Sequence, residues 1–166
     1  MVQAILLAGD PVIFERLAAA AITPGHLVEI ATGGDAGKVK KHATAGGNAA
    51  AWFADTDPTP SRTATTDPLD TPYATSETVR VLACSNGDEI YAWIPASAAA
   101  IVEGDPLESN GDGTLRKHTA PSQAVNESGS ATYTIAQYIN AIMAVAVEAK
   151  NNSGGGSAVR LRVRVI

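Results

Sequence analysis

Three histidines, His26, His42 and His118, are the residues of this 166-residue chain best suited to acid–base or metal chemistry. A transition-metal site needs three or four ligands that converge, usually at short spacings. Here there is no His-x-His pair and only one cysteine, Cys84. His42 and His118 each follow a basic pair, Lys40-Lys41 and Arg116-Lys117, which reads as the end of a strand. The glycine-rich run Gly33-Gly-Asp-Ala-Gly37 lacks the Lys-Ser/Thr and the helix that complete a phosphate-binding loop, so it reads as a turn. Asp105, Glu108 and Asp112 offer oxygen ligands around Asn110-Gly-Asp-Gly113, but the terminal Glu of a calcium loop is missing. No nucleophile-elbow, zinc-protease or dinucleotide motif occurs. Paired carboxylates of a glycosidase need not be close in sequence, and nothing supports them here. The expectation is a chain with no catalytic, cofactor-binding or metal-binding residues, hence not an enzyme and without a cofactor.

The elements that would carry any such groups are set by composition. Lys and Arg total 12 against 17 Asp and Glu, a net charge of −5. Proteins that follow a nucleic-acid backbone need the opposite balance, so neither nucleic acid nor an anionic membrane is an expected partner. Charged residues make up 17% of the chain, aromatics 5%, and small residues are abundant. One cysteine excludes an intrachain disulfide framework. The N-terminal apolar stretch has no basic residues before it, and the expectation is synthesis and assembly in a cytoplasm.

One domain spanning 1–166 is expected. Residues 2–8 read as a short strand or arm. Asp10-Pro11 looks like a helix start, and Val12–Ala21, with Ile13, Leu17 and Ala20 at helical spacing, predicts one short helix ended by Pro24-Gly25. Leu27–Ala31 and Lys38–His42 form a hairpin pattern. Ala54–Pro72 holds four Pro, six Thr and four Asp in nineteen residues, too polar to fold alone. It reads as a functional loop or an arm on a partner, with a reach of about 60 Å. Thr78–Cys84 and Glu89–Ile94 flank Ser85-Asn86-Gly87-Asp88, which predicts a two-residue hairpin with a type I′ turn. The segment from Thr119 to Tyr138 is ambiguous between strand and helix. Ile142–Glu148 and Val159–Ile166 flank a Gly/Ser/Asn loop. Val159, Leu161, Val163 and Val165 alternate with Arg160, Arg162 and Arg164, as in a half-buried antiparallel strand. The fold class that follows is all-β and mainly antiparallel, a barrel, β-tulip or sandwich built from hairpins, with one short N-terminal helix and extended arms.

One segment echoes itself. Ile22-Thr-Pro-Gly25-His-Leu-Val-Glu29 and Ile101-Val-Glu-Gly104-Asp-Pro-Leu-Glu108 share Ile, Gly and Glu, and each closes through a glycine turn on a basic strand ending in His42 or His118. These segments predict comparable hairpins. The arginine stripe of 160, 162 and 164 is either a solvated face or a contact with an acidic neighbour. Trp52 and Phe53, beside the Pro/Thr segment, are either core or an interface anchor.

The run Asp70-Thr-Pro-Tyr-Ala-Thr-Ser-Glu-Thr-Val-Arg-Val-Leu82, then Gly87–Ile94, then Gly104–Lys117, resembles the head decoration (cement) proteins of tailed bacteriophages. Ala144–Ala149 and Val159–Val163 are similar to that family's C-terminal end, the segment 22–42 fits more loosely, and 43–69 and 119–141 match nothing. The resemblance implies a β-rich homotrimer on the outer face of an icosahedral head, where it clamps neighbouring major capsid proteins after the shell expands. It implies a virion location and no catalytic residues. Under this reading the N-terminal arm 1–9, with Val2, Ile5, Leu6 and Leu7, and the 54–72 segment reach the shell. Trp52, Phe53, Arg160, Arg162 and Arg164 are further candidates for the capsid or trimer interface. The rival expectation is a non-catalytic β-sandwich adhesin or carbohydrate-binding module that stacks sugars on Trp52, Tyr73 and Tyr91.

Overall fold

The computed structural model describes residues 4–56, 67–119 and 141–166. The chain there forms strands β1 (Leu6–Ala8), β2 (Val12–Leu17), β3 (Val28–Ile30), β4 (Val39–Lys41), β5 (Trp52–Ala54), β6 (Thr78–Ala83), β7 (Glu89–Ile94), β8 (Pro106–Ser109), β9 (Leu115–Lys117), β10 (Ile142–Ala146) and β11 (Val159–Val165). A six-stranded sheet has the order β1-β7-β11-β10-β8-β9, a three-stranded sheet the order β2-β6-β5, and β3-β4 pair alone. All these pairings are antiparallel. The sheets pack in a sandwich-like way, and no closed barrel forms among the described residues.

The three-stranded sheet is a wall between two cores. Because successive strand residues point to opposite faces, Leu82 and Phe53 join Ile5, Leu27, Ile90, Ile94, Leu107, Leu161 and Val163 on one side. Val79, Val81 and Ala54 pack with Ile22, Val28, Val39 and Tyr73 on the other. The alternation read in β11 is present: Leu161, Val163 and Val165 are buried, while Arg162 and Arg164 are exposed.

Two expectations are corrected. Val12–Leu17 is a strand, not the start of a helix. A helix of about ten residues is marginal alone, whereas β-branched Val12 and Ile13 and aromatic Phe14 suit a strand and pair with β6 over six consecutive positions. Among the described residues the helical content is one 3-10 turn, Gly33–Asp35. Asn86-Gly87 does not close a hairpin either. β6 and β7 lie in different sheets, and the turn between them is a corner. A type I′ turn needs positive φ at both central residues, but here only Gly87 has it, at 100°.

That corner is one of four turns built alike. In Thr23–His26, Ala74–Glu77, Ser85–Asp88 and Val102–Asp105 the fourth residue's N–H donates to the first residue's carbonyl. The third residue has positive φ: Gly25 91°, Ser76 64°, Gly87 100° and Gly104 87°. The fourth side chain then accepts from the first residue's N–H, through His26 Nδ1, Glu77 Oε2, Asp88 Oδ2 or Asp105 Oδ2. Positive φ at the third position alone is the type II requirement. Each turn feeds β3, β6, β7 or β8 within two residues.

The echoed segments occupy comparable hairpins. Val28 faces Lys41 and Glu29 faces Lys40, as Leu107 faces Lys117 and Glu108 faces Arg116. In both, the glutamate binds the basic residue and the following histidine: Glu29 with Lys40 at 3.1 Å and His42 at 3.6 Å, Glu108 with Arg116 at 2.7 Å and His118 at 2.5 Å. His42 Nδ1 also meets Ser109 Oγ at 2.7 Å, which joins one hairpin to the other.

Two outcomes test these turns. Gly104 has open space where a Cβ would stand, whereas a Cβ on Gly25 would sit 2.7 Å from the Tyr91 carbonyl. Gly104→Ala should destabilise by about 1–2 kcal/mol from the left-handed backbone alone, and Gly25→Ala by roughly 1–3 kcal/mol more, measured by urea unfolding. Burial first, then Lys41, depresses the His26 pKa from 6.5 to about 4. Because the folded state favours neutral imidazole, stability is full above about pH 6.5 and falls as pH drops toward 4, by roughly 3 kcal/mol. His26→Asn keeps an acceptor for Thr23 N–H but cannot titrate, so its stability should lack this component.

Candidate interaction surface

The residues nominated from sequence fall into three environments. Val2 lies outside the described residues. Ile5 and Phe53 are fully buried in the larger core, so neither presents a surface in this fold. Leu6 and Leu7 are partly buried, and Leu6 opens the edge strand β1. Trp52 is also partly buried. Its ring packs edge-on against Phe14, with centroids 5.2 Å apart and planes at 75°.

The arginine stripe is matched inside the chain. Glu89, opposite Arg164 in the β7–β11 ladder, accepts from both Arg162 and Arg164 at 2.6 Å, one on each carboxylate oxygen. Those hydrogen bonds, from Arg164 first and then Arg162, hold its carboxyl below the usual range. Arg160 has a different task. Its guanidinium lies 4.1 Å from the Trp93 ring centre, pairs with Asp70 at 2.7 Å, and donates to the carbonyls of Pro24 and Leu69. It therefore pins the end of the Pro/Thr segment to a capped turn and to β7. Leu69 is buried in the larger core, so this part of the segment belongs to the body.

The groups considered for other chemistry are also engaged. Of the residues nominated to stack sugars, Tyr73 is buried, with its hydroxyl donating to the Asp55 carbonyl, and Tyr91 is partly buried against the larger core, as Trp52 is against the smaller. Among the described residues no group of three or more His, Cys, Asp or Glu is placed to hold a metal. A shallow depression of about 800 Å³ is lined by residues including Pro95, Ala98, Asn110 and His118. Its basic side chains are matched: Arg116 pairs with Glu108 and Lys117 with Asp105, and His118 Nδ1 meets Glu108 Oε2 at 2.5 Å.

The open apolar surface is on β2, which sequence reasoning assigned to a helix. Val12 is 68% exposed, Ile13 45% and Leu17 46%. This strand is the outer edge of its sheet. Phe14 and Trp52 form an aromatic patch on one face, with the Arg16 guanidinium 5.6 Å from the Phe14 ring centre. The clue in the sequence was the β-branched and aromatic run Val12-Ile-Phe14, outweighed by the helix-start signal before it and the alanines after it.

The Arg160 staple has a measurable weight. Arg160→Ala removes charge-assisted hydrogen bonds and the stacking on Trp93, and should lower stability by about 1–3 kcal/mol in urea unfolding. Asp70 is more than half exposed, and Asp70→Asn should lower it by less than about 1 kcal/mol.

No protein family and no curated protein matches this chain. Among solved structures, the N base of the head fiber gp8.5 of bacteriophage phi29 is similar, with a TM-score of 0.52 over 93% of each chain at 14% identity. The chain thus shares its fold, across nearly its whole length, with the base of a phage head fiber.

Proposed function

We propose that this protein is a structural component of a tailed-phage virion, held on the outer surface of an icosahedral head. The observation that carries the reading is the fold shared with a phage head-fiber base over 93% of both chains. It converges with the likeness of residues 70–118 and 142–166 to head decoration proteins. In this reading the chain works as a homotrimer, without catalysis or a cofactor, and stabilises the expanded shell by bridging neighbouring major capsid proteins. Weak contacts repeated around a rigid assembly combine into tight attachment when all can engage at once. The net charge of −5 suits a position facing away from packaged DNA. In this reading the partly exposed Leu6 and Leu7 at the edge strand β1 face the shell.

Mixing the purified protein with expanded heads that lack it tests the proposal. Saturable binding and greater resistance of the heads to heat or chelator are expected. No saturable binding, or binding without a gain in resistance, would overturn the clamping role.

A further inference from the structure

We propose that the free edge of β2 is a self-association surface, on which two copies pair their β2 strands antiparallel about a two-fold axis at Phe14. This goes beyond attachment to a head and does not depend on it.

Edge strands of monomeric proteins are usually short, charged or distorted, because their unpaired N–H and C=O groups otherwise recruit another strand. The other edges here follow that pattern. β1 has three residues and an irregular register, and β9 has three residues, two of them basic. β5 also has three, and its outer side is taken by Leu27 and by hydrogen bonds with Gly25 and His26. β2 is less protected: its outer side is covered just past its end, where Ala18 bridges to Val39 and Ala19 N–H donates to the Val39 carbonyl, and its two charges, Glu15 and Arg16, are of opposite sign. It runs for six residues, pairs with β6 without a register shift, contains no Pro or Lys, and carries three large exposed apolar side chains.

The pattern of β2 suits a second copy of itself. Around a two-fold axis perpendicular to the sheet, residues facing each other must lie on the same face, so the axis passes at one residue position. Centring on Glu15 or Arg16 sets like charges against each other, which is unfavourable. Centring on Phe14 opposes Phe14 to Phe14 of the second copy, Val12 to its Arg16, and Ile13 to its Glu15. The Trp52–Phe14 pair of each copy then meets the other in one aromatic row, with an Arg16 near each Phe14 ring. The two three-stranded sheets become one of six strands, and the apolar edge is covered. The chain as a whole is acidic, but the charges of β2 balance, Glu15 against Arg16, so this edge does not repel a copy of itself. In a trimeric protein the same contact would join one trimer to the next.

Val12 is mostly exposed, so it can be changed without disturbing the core, and its charge reports the register. Sedimentation equilibrium of the purified full chain, without heads, should give twice the mass for wild type as for Val12→Lys, which sets Lys against Arg16 of the second copy. Val12→Glu offers that arginine a carboxylate and should keep the larger mass. At concentrations low enough to dissociate wild type, unfolding midpoints of both variants should match it. Equal masses for wild type and Val12→Lys would overturn the proposal. So would equal loss of assembly in both variants, because the Phe14 register predicts opposite effects. If Val12→Lys reduced head binding while wild type and variant had equal masses, the edge would serve a shell protein and self-association would be wrong. Failure of head binding with the mass difference intact would count against the virion reading alone.

Discussion

The capped turn is the constraint on which the rest of this structure depends. A left-handed third residue reverses the chain, and a side chain at the fourth position occupies the first N–H, which the turn would otherwise leave without a partner. An unpaired backbone donor in a partly buried corner is unfavourable by about 1–3 kcal/mol, so His26 and Asp88 decide whether their part-buried corners are tolerable, while Glu77 and Asp105 cap exposed N–H groups. At Asp88 the carboxylate accepts from Ser85 and Asp10 together, which brings the start of β2 to the corner that launches β7. Four repetitions aim four strands, and two of those strands begin the matching hairpins.

The corner between β6 and β7 has the largest consequence, because it sends consecutive strands into different sheets. It leaves β6 in the centre of a separate sheet, whose alternating residues Leu82 and Val81 reach a core on each face. The shared wall also accounts for the composition. Two thin cores filled by Val, Ile, Leu and Ala need few aromatics, and the aromatic residues present sit at junctions: Phe53 in the larger core, Tyr73 in the smaller, Trp93 under Arg160. Ion pairs then hold the outer faces, with Glu89 between two arginines and Arg160 between a strand, a turn and the Pro/Thr segment.

Much of this was legible in the residues, for physical reasons. β11 was readable because one of its faces is buried and the other is not, so its period of two survives in the sequence. The two echoed hairpins were readable because register and turn both depend on side-chain identity: Ile, Gly, Glu, a basic residue and His recur because each has a fixed partner. The fate of Asn86-Gly87 was hidden, because the dipeptide fits more than one turn and Asp88, the cap that decides among them, acts through a hydrogen bond to Ser85. β2 was hidden because tertiary pairing with β6 overrides local preference. Val2 and the segments 57–66 and 120–140 fall outside the described residues. The interface candidates Ile5 and Phe53 are core residues. The arginines are absorbed by Glu89 and Asp70, whose places beside them follow from the fold and not from sequence spacing.

The β body joins two cores, fixes Leu69 and Asp70 through Arg160, and leaves an apolar strand exposed at β2. The proposed place on a phage head is the central claim. Electron cryomicroscopy of phage particles assembled in the presence of this protein tests it most directly. Density for the sandwich-like body, repeated at lattice positions on the outer face of the head, is the expected result. A reconstruction with no such density on the head, or with the body inside the shell, would contradict it.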